Sequence, residues 1–136
     1  MKIGIVGSRQ YQNPKKIKDF VFMLKEKFGN QLEIVSGEQP KGADGFAKTS
    51  ALELKIKYVS FPPKHYDWNM HCINPPSFYN KEYRPYYFNQ RNQEIVNYSD
   101  MIFCFIPSWI EIEQSTGTYD TYKRALKANK SVTIIS

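Results

Sequence analysis

The chain has 136 residues, 41% of them hydrophobic, a size that suits one domain built around one core. Its 19 Lys and Arg against 13 Asp and Glu give a net charge of +6, which favours an anionic partner without choosing between mononucleotides, RNA and DNA. No apolar stretch approaches the roughly 20 residues that cross a bilayer, and the start of the chain leads directly into a strand pattern, so we expect a cytoplasmic protein with no membrane partner.

Short apolar runs alternate with helical patterns, as in a parallel sheet covered by helices on both faces. The predicted strands span residues 2–6, 32–35, 58–61, 101–106 and 132–135. The predicted helices span residues 14–28, 43–54, 87–97 and 116–128. With right-handed connections the strand order is 3-2-1-4-5, a Rossmann-like three-layer α/β/α sandwich whose ligand crevice lies where strands one and four end. The expected core includes Val21, Leu24, Leu52, Ile95, Val96, Ile102 and Ile134.

An insert of about residues 62–86 interrupts this alternation and is longer than an ordinary connection. Its rings suit a lid or a platform that stacks on a base, or they pack a surface loop onto the sheet edge or into a subunit interface. These rings are Tyr66, Trp68, Phe78, Tyr79, Tyr83, Tyr86 and Tyr87. His65, His71 and Cys72 match no zinc spacing, and Cys72 and Cys104 form no disulfide framework. We therefore expect a reduced protein that needs no metal or cofactor.

Three glycine-containing loops each follow a predicted strand and precede a predicted helix. They carry Gly7-Ser8-Arg9, then Ser36-Gly37 leading to Lys41-Gly42-Ala43-Asp44, and finally Ser115-Thr116-Gly117-Thr118. A loop of this kind at a helix N-terminus presents backbone N–H groups and a positive dipole end, which suit a phosphate. Three such loops at one crevice predict a composite site for a nucleotide.

The same motifs carry a family resemblance. The runs GIVGSR at 4–9, SG with KGAD at 36–44, RNQEIVNYSD at 91–100 and STGT at 115–118 together resemble the YspA-like small SLOG domains, of the DUF2493 type. The resemblance covers nearly the whole chain. It implies a Rossmann-like fold that binds nucleotides or nucleotide-derived ligands. It also implies a relationship to the LOG phosphoribohydrolases and the DprA DNA-processing proteins. The implied assembly is a homodimer or a higher homo-oligomer.

The resemblance also implies particular site residues. Arg9 would pair with a phosphate, and Asp44 would bind a ribose hydroxyl or cap the second helix. Arg91 falls at the place of the catalytic arginine of LOG-type hydrolases, the alternative being a solvated helix arginine. The implied nucleotide-binding residues are Gly7, Ser8, Arg9, Ser36, Gly37, Lys41, Gly42, Ala43, Asp44, Arg91, Asn92, Ser115, Thr116, Gly117 and Thr118.

One position departs from the LOG enzymes. Their PGGxGTxxE motif ends in a glutamate that is central to cleavage of the N-glycosidic bond, and this chain has Thr121 there. A hydroxyl does not replace that carboxylate, and Asp120 points about 100° away on an ideal helix. We therefore expect a non-catalytic sensor or binding domain. Two alternatives stay open, a nucleotide N-glycosidase, phosphoribohydrolase or deoxyribosyltransferase-like enzyme that uses Arg91 and Asp120, and DprA-like binding of nucleic acid.

Overall fold

The computed structural model of the chain describes residues 1–37, 39–62 and 85–136. A five-stranded sheet lies at its centre, and every pair of neighbouring strands is parallel. The strands are β1 (Lys2–Gly7), β2 (Glu33–Ser36), β3 (Lys57–Ser60), β4 (Met101–Phe105) and β5 (Ser131–Ile135). Their order in the sheet is β3-β2-β1-β4-β5, which confirms the predicted order.

Helices connect the strands. They are α1 (Pro14–Phe28), α2 (Ala43–Glu53), α3 (Pro85–Tyr98) and α4 (Thr116–Lys127), with short 3-10 turns at Gly29–Gln31 and Ile112–Gln114. The start of α1 follows the expected chemistry, because the Asn13 side chain accepts a hydrogen bond of 3.1 Å from the backbone N–H of Lys16 and Pro14 opens the first turn. Gly29 ends the helix at φ +61°, a conformation that glycine adopts without strain.

The sheet has a hydrophobic core on each face. On one face, α1 and α2 cover Ile3, Ile5 and Ile34. On the other face, Ile95 of α3 and Ala125 of α4 pack with the strand residues Val6, Val35, Ile102 and Cys104. The α/β/α layering is therefore as predicted. Burial also raises the pKa of the Cys104 thiol to about 12, which makes it an unreactive core residue.

Two predicted core residues are wrong. Leu52 is 55% exposed, since α2 turns Ala43, Ala47 and Ala51 toward the sheet and the next residue along the helix faces away. Ile134 is 44% exposed because β5 is an edge strand, with a neighbouring strand on one side only in the described sheet. The other five predicted core residues, Val21, Leu24, Ile95, Val96 and Ile102, are buried.

The described ranges contain no helix that is both long enough and apolar enough to span a membrane. Most of the predicted aromatic insert, including His65, His71 and Cys72, lies outside the described residues. Its role as lid, platform or interface stays a prediction. Tyr86 and Tyr87 belong to the first turn of α3, with their ring centroids 5.7 Å apart.

Candidate functional site

A cleft of about 1170 Å³ lies where β1 and β4 end, at the reversal of strand order at which such sheets bind ligands. Loops after β1, β2 and β4 form it together with one side of α3 and the first turns of α4. Its volume suits a small organic ligand of nucleotide size. The predicted site residues that line it are Gly7, Ser8, Arg9, Asp44, Arg91, Asn92, Ser115, Thr116, Gly117, Thr118 and Asp120.

The second predicted loop contributes less to the cleft than the sequence indicated. Of its residues, Asp44 reaches the cleft, whereas Ser36, Gly37, Lys41, Gly42 and Ala43 are not among the lining residues. The Ser36 side chain is buried in the sheet, and the Lys41 side chain is exposed. The loop lines the cleft mainly through Gln39 and Pro40, which were not predicted as site residues.

Close packing explains three of the four glycines that we expected to cradle a phosphate. A Cβ on Gly7 would lie 2.3 Å from the Phe105 carbonyl oxygen, and one on Gly42 would lie 2.3 Å from the carbonyl oxygen of Ser8. A Cβ on Gly37 would lie 2.2 Å from Nη1 of Arg91. In contrast, a Cβ on Gly117 would meet no described atom within 4 Å. Of these four glycines, Gly117 is thus the one at which packing does not explain the lack of a side chain.

The N-terminus of α4 opens on the cleft without a cap from a described side chain. Its first intrahelical bond runs from the Tyr119 N–H to the Ser115 carbonyl, at 2.8 Å, so the amides of residues 116–118 precede the helical ladder. The Ser115 hydroxyl bonds the Thr118 hydroxyl at 3.0 Å instead of capping the backbone. The first turn contains no acidic residue, so the positive end of the helix dipole is not neutralised there.

Arg91 is half-buried in α3, which excludes the reading of it as a solvated surface arginine. Its Nη1 donates to the Gly37 carbonyl at 2.6 Å, and its Nε donates to Oδ1 of Asn92 at 2.9 Å. Burial lowers the pKa of Arg91, the carboxylate of Asp44 opposes that effect, and the like charge of Arg9 adds to it. Two guanidiniums therefore repel one another at the edge of a single cleft.

Asn92 connects α3 to the first turns of α4. Its side-chain amide donates to Oδ2 of Asp120 at 3.0 Å and to the Gly117 carbonyl at 3.4 Å, and the side chain is almost fully buried. The same Asp120 oxygen accepts from Nε of Arg124 at 2.7 Å. The carboxylate of Asp120 is thus held by two donors at the wall of the cleft.

Thr121 and Asp44 use their side chains for local structure. Thr121 is 1% exposed, and its hydroxyl donates to the Gly117 carbonyl at 3.1 Å. Asp44 lies in the first turn of α2, where a carboxylate favours the helix dipole, and its Oδ2 accepts from the Gln39 N–H at 3.4 Å. Gly42 is the N-cap of α2 and no described side chain caps the helix, so Asp44 acts on α2 through its charge and holds the Gln39 amide; its contact with a ribose stays a prediction.

Phe88, Tyr119 and Lys123 also line the cleft, and the sequence reasoning missed them. Lys123 Nζ lies 4.5 Å from the centroid of the Tyr119 ring, and the Arg91 guanidinium lies 5.8 Å from that of Phe88. Steps of three and four residues from Thr116 place Tyr119 and Lys123 on the helix face that the cleft exposes. That spacing was the signal that could have found them. Among the described residues, no group of three or more His, Cys, Asp or Glu could hold a metal.

No protein-family model matches the chain, and no curated protein matches it. A solved structure does match it, that of DNA processing protein A (DprA) from Helicobacter pylori, which was described for its single-stranded DNA binding mode. The likeness has a TM-score of 0.67 at 19% sequence identity and covers the whole of this chain but 65% of that one. It shows that the chain has the Rossmann-like fold of DprA, one of the relatives that the sequence resemblance implied. The YspA-like assignment stays a prediction.

Proposed function

We propose that the cleft binds the phosphate of a nucleotide or nucleotide-derived ligand at the N-terminus of α4, and that the protein is a non-catalytic sensor or binding domain. The observation that carries this proposal is Gly117. It is a glycine in the first turn of a helix, it lines the cleft, and no described neighbour requires it to lack a side chain. A phosphate that approaches the backbone N–H groups would require it.

The charges around this turn support an anion. Arg9 and Arg91 line the same cleft as the α4 N-terminus, and their mutual repulsion would be relieved by a negative charge between them. Arg9 is exposed on its loop, so its guanidinium can reach a phosphate with paired N–H donors. Lys123 adds a third cation further along α4, between one and two turns from the amides of residues 116–118. In this proposal the helix supplies the position of the phosphate and the arginines supply the charge.

The side chains that would carry out catalysis are engaged elsewhere, which supports binding over hydrolysis. The Thr121 hydroxyl is buried and bonded within its helix. Asp120 accepts from both Asn92 and Arg124 through Oδ2, so its carboxylate already serves to join α3 to α4. The enzyme alternative has a direct assay. Release of free base from nucleoside monophosphates, abolished by Asp120→Asn, would establish it and contradict a non-catalytic domain.

The likeness to DprA favours a second candidate function, binding of single-stranded nucleic acid. That protein was described for its single-stranded DNA binding mode, and this chain shares its fold and carries a net charge of +6. A strand would place one of its phosphates at the same helix N-terminus. The two functions therefore share a phosphate site and differ in how many phosphates the protein contacts.

Calorimetric titration tests both functions. The ligands are the four common nucleoside monophosphates, ADP-ribose, cyclic dinucleotides and a 12-nucleotide single strand, with wild-type protein and Arg9→Gln. We expect saturable binding of at least one ligand and weaker binding by the variant. If the ligand is a strand held by four phosphates, raising the salt from 50 to 200 mM should weaken binding about 50-fold. The absence of any binding, together with an unchanged melting temperature in every ligand, would refute the phosphate site.

A further inference from the structure

A second, smaller pocket adjoins the cleft. It has a volume of about 290 Å³ and lies between the loop after β1 and the loop after β4. Gln10 and Ile110 line the cleft, and their chain neighbours Tyr11 and Trp109 line the smaller pocket. Successive residues of the same two loops therefore line the two spaces. The pocket is lined by Tyr11, Gln12, Asn13, Pro107, Ser108, Trp109 and Ser136.

Trp109 is the main feature of this pocket. The side chain is 63% exposed, although an indole is among the most apolar surfaces that a protein carries. Among the residues that the structure describes, no ring stacks on it and no cation lies over it. An exposed aromatic face beside a pocket of mixed polar and apolar lining is a surface on which a nucleobase can stack.

The other walls of the pocket offer hydrogen-bonding groups. The side-chain oxygen of Asn13 caps α1. The side-chain NH₂ group of Asn13 has no hydrogen-bond acceptor in the described part of the chain. Gln12 and Ser108 are exposed polar residues at the rim. Tyr11 forms an apolar part of the wall, because its ring packs edge-on against Phe105 and its hydroxyl is buried in the core. A ring platform with donors and acceptors around it matches the edge and the face of a base.

We propose that this pocket holds the base of a second nucleotide, joined by a phosphodiester to the nucleotide whose phosphate lies at the α4 N-terminus. The inference rests on the proposed function and names the ligand class of the same site, two linked nucleotides. Such a unit occurs as a free dinucleotide and as a stretch of a single strand. Trp109 supplies the stacking surface, and the loop residues beside it contact the edge of the base.

The experiment compares one nucleotide with two. AMP, the linear dinucleotide pApA and a 12-residue oligoadenylate are titrated into the full chain by calorimetry. The chain has two tryptophans, so Trp68→Phe leaves Trp109 as its sole indole, and the titrations are repeated in that background by fluorescence. We expect pApA to bind about 5- to 100-fold more tightly than AMP, the range that base stacking supplies, and to quench the indole. AMP should leave the emission unchanged.

Variants assign the effect to the second pocket. Trp109→Ala should remove the advantage of pApA over AMP while leaving AMP affinity unchanged, and Trp109→Phe should retain most of it. The matched control is Phe22→Ala, which truncates a ring of α1 that is 48% exposed, and it should change neither affinity. A 12-mer that binds far more tightly than pApA, with a steep loss in salt, identifies a strand as the source. Equal affinities identify a free dinucleotide.

The outcomes separate this inference from the function on which it rests. If AMP binds and pApA binds no more tightly, or if Trp109→Ala weakens both ligands equally, the second subsite is refuted and the phosphate site stands. If neither ligand nor the 12-mer binds, the second subsite is refuted, and the phosphate site is refuted as well when the wider ligand set of the calorimetric titration also fails to bind.

Discussion

Replacing Gly117 with aspartate should stabilise the fold and abolish phosphate binding in the same protein. Gly117 is the second residue of α4, and a side chain there meets no described atom within 4 Å. Aspartate in place of glycine gains a few tenths of a kcal/mol in helix propensity, and a carboxylate in the first turn gains about 0.3–1 kcal/mol from the helix dipole. The sum is about 0.5–1.5 kcal/mol. For a domain of this size it raises the melting temperature by about 2–6 °C.

The same carboxylate occupies the place of the ligand. A phosphate held by the amides of residues 116–118 would lie about 4 Å from it, where two unit charges repel by about 4 kcal/mol near a protein surface. Screening that removes half of this energy still leaves an affinity loss of about 30-fold. The variant therefore separates the requirements of the fold from those of the site, because its effects on the two have opposite signs.

Scanning fluorimetry and calorimetric titration measure the two effects, with whichever nucleotide ligand wild type binds best. The matched control is Gly117→Asn, which has nearly the same shape and no charge. It should lose the affinity that depends on the absent side chain, and Gly117→Asp should lose about 30-fold more because of its charge. If Gly117→Asp is more stable and binds as tightly as wild type, the phosphate does not lie at this helix N-terminus. If Gly117→Asn loses as much affinity as Gly117→Asp, steric blockage and not charge explains the loss.

Three further predictions concern the neighbouring structure. Arg9→Gln should weaken phosphate binding about 10- to 100-fold, the usual loss for hydrogen bonds from a charged group. The melting temperature should not change, because the side chain is exposed. Calorimetry that finds wild-type affinity would contradict this prediction. Gly7→Ala should cost about 1–3 kcal/mol in urea unfolding, since its Cβ would lie 2.3 Å from a backbone oxygen, and an unchanged unfolding midpoint would show that the strand ends shift freely. Tyr98 donates to Glu33 at 2.5 Å, which lowers the pKa of Glu33 below 4.5 and raises that of Tyr98 to about 12. The stability from this pair is present at pH 7 and is lost as the pH falls through the folded pKa of Glu33 or rises through 12. Tyr98→Phe should therefore lose about 1 kcal/mol at pH 7 and much less at pH 2, whereas equal losses at the two pH values would refute the link.

Periodicity predicted the fold well, and packing limited what could be predicted of the site. Strand order followed from the alternation of strands and helices with right-handed connections, because few other topologies satisfy both. The sequence marks Gly7, Gly37, Gly42 and Gly117 alike as phosphate glycines. Backbone contacts between segments far apart in the chain require Gly7 and Gly42, and Gly37 leaves room for the Arg91 guanidinium; sequence spacing reveals none of these contacts.

The second pocket and the exposure of Leu52 and Ile134 could not be predicted for the same reason, because both depend on contacts between segments that are distant in the sequence. Trp109 gave no periodic signal, since it lies in an irregular loop, and it lines the same pocket as Tyr11 because β1 pairs with β4. Leu52 and Ile134 lie in elements whose buried faces are set by neighbours in space. In contrast, Tyr119 and Lys123 follow Thr116 at helical spacing. Their place in the cleft lining could have been predicted from the sequence, because the N-terminus of α4 was already the expected phosphate site.

The most direct measurement is the amide NMR spectrum of the ¹⁵N-labelled protein during titration with the nucleotide ligand that binds most tightly. With seven glycines in the chain, the Gly117 signal lies in a sparse region of the spectrum. The phosphate site predicts that the amide protons of Thr116, Gly117 and Thr118 move furthest, in the downfield direction that a charged acceptor causes, together with those of Ser8 and Arg9. Saturable binding that leaves these amides unmoved and shifts others would contradict the account.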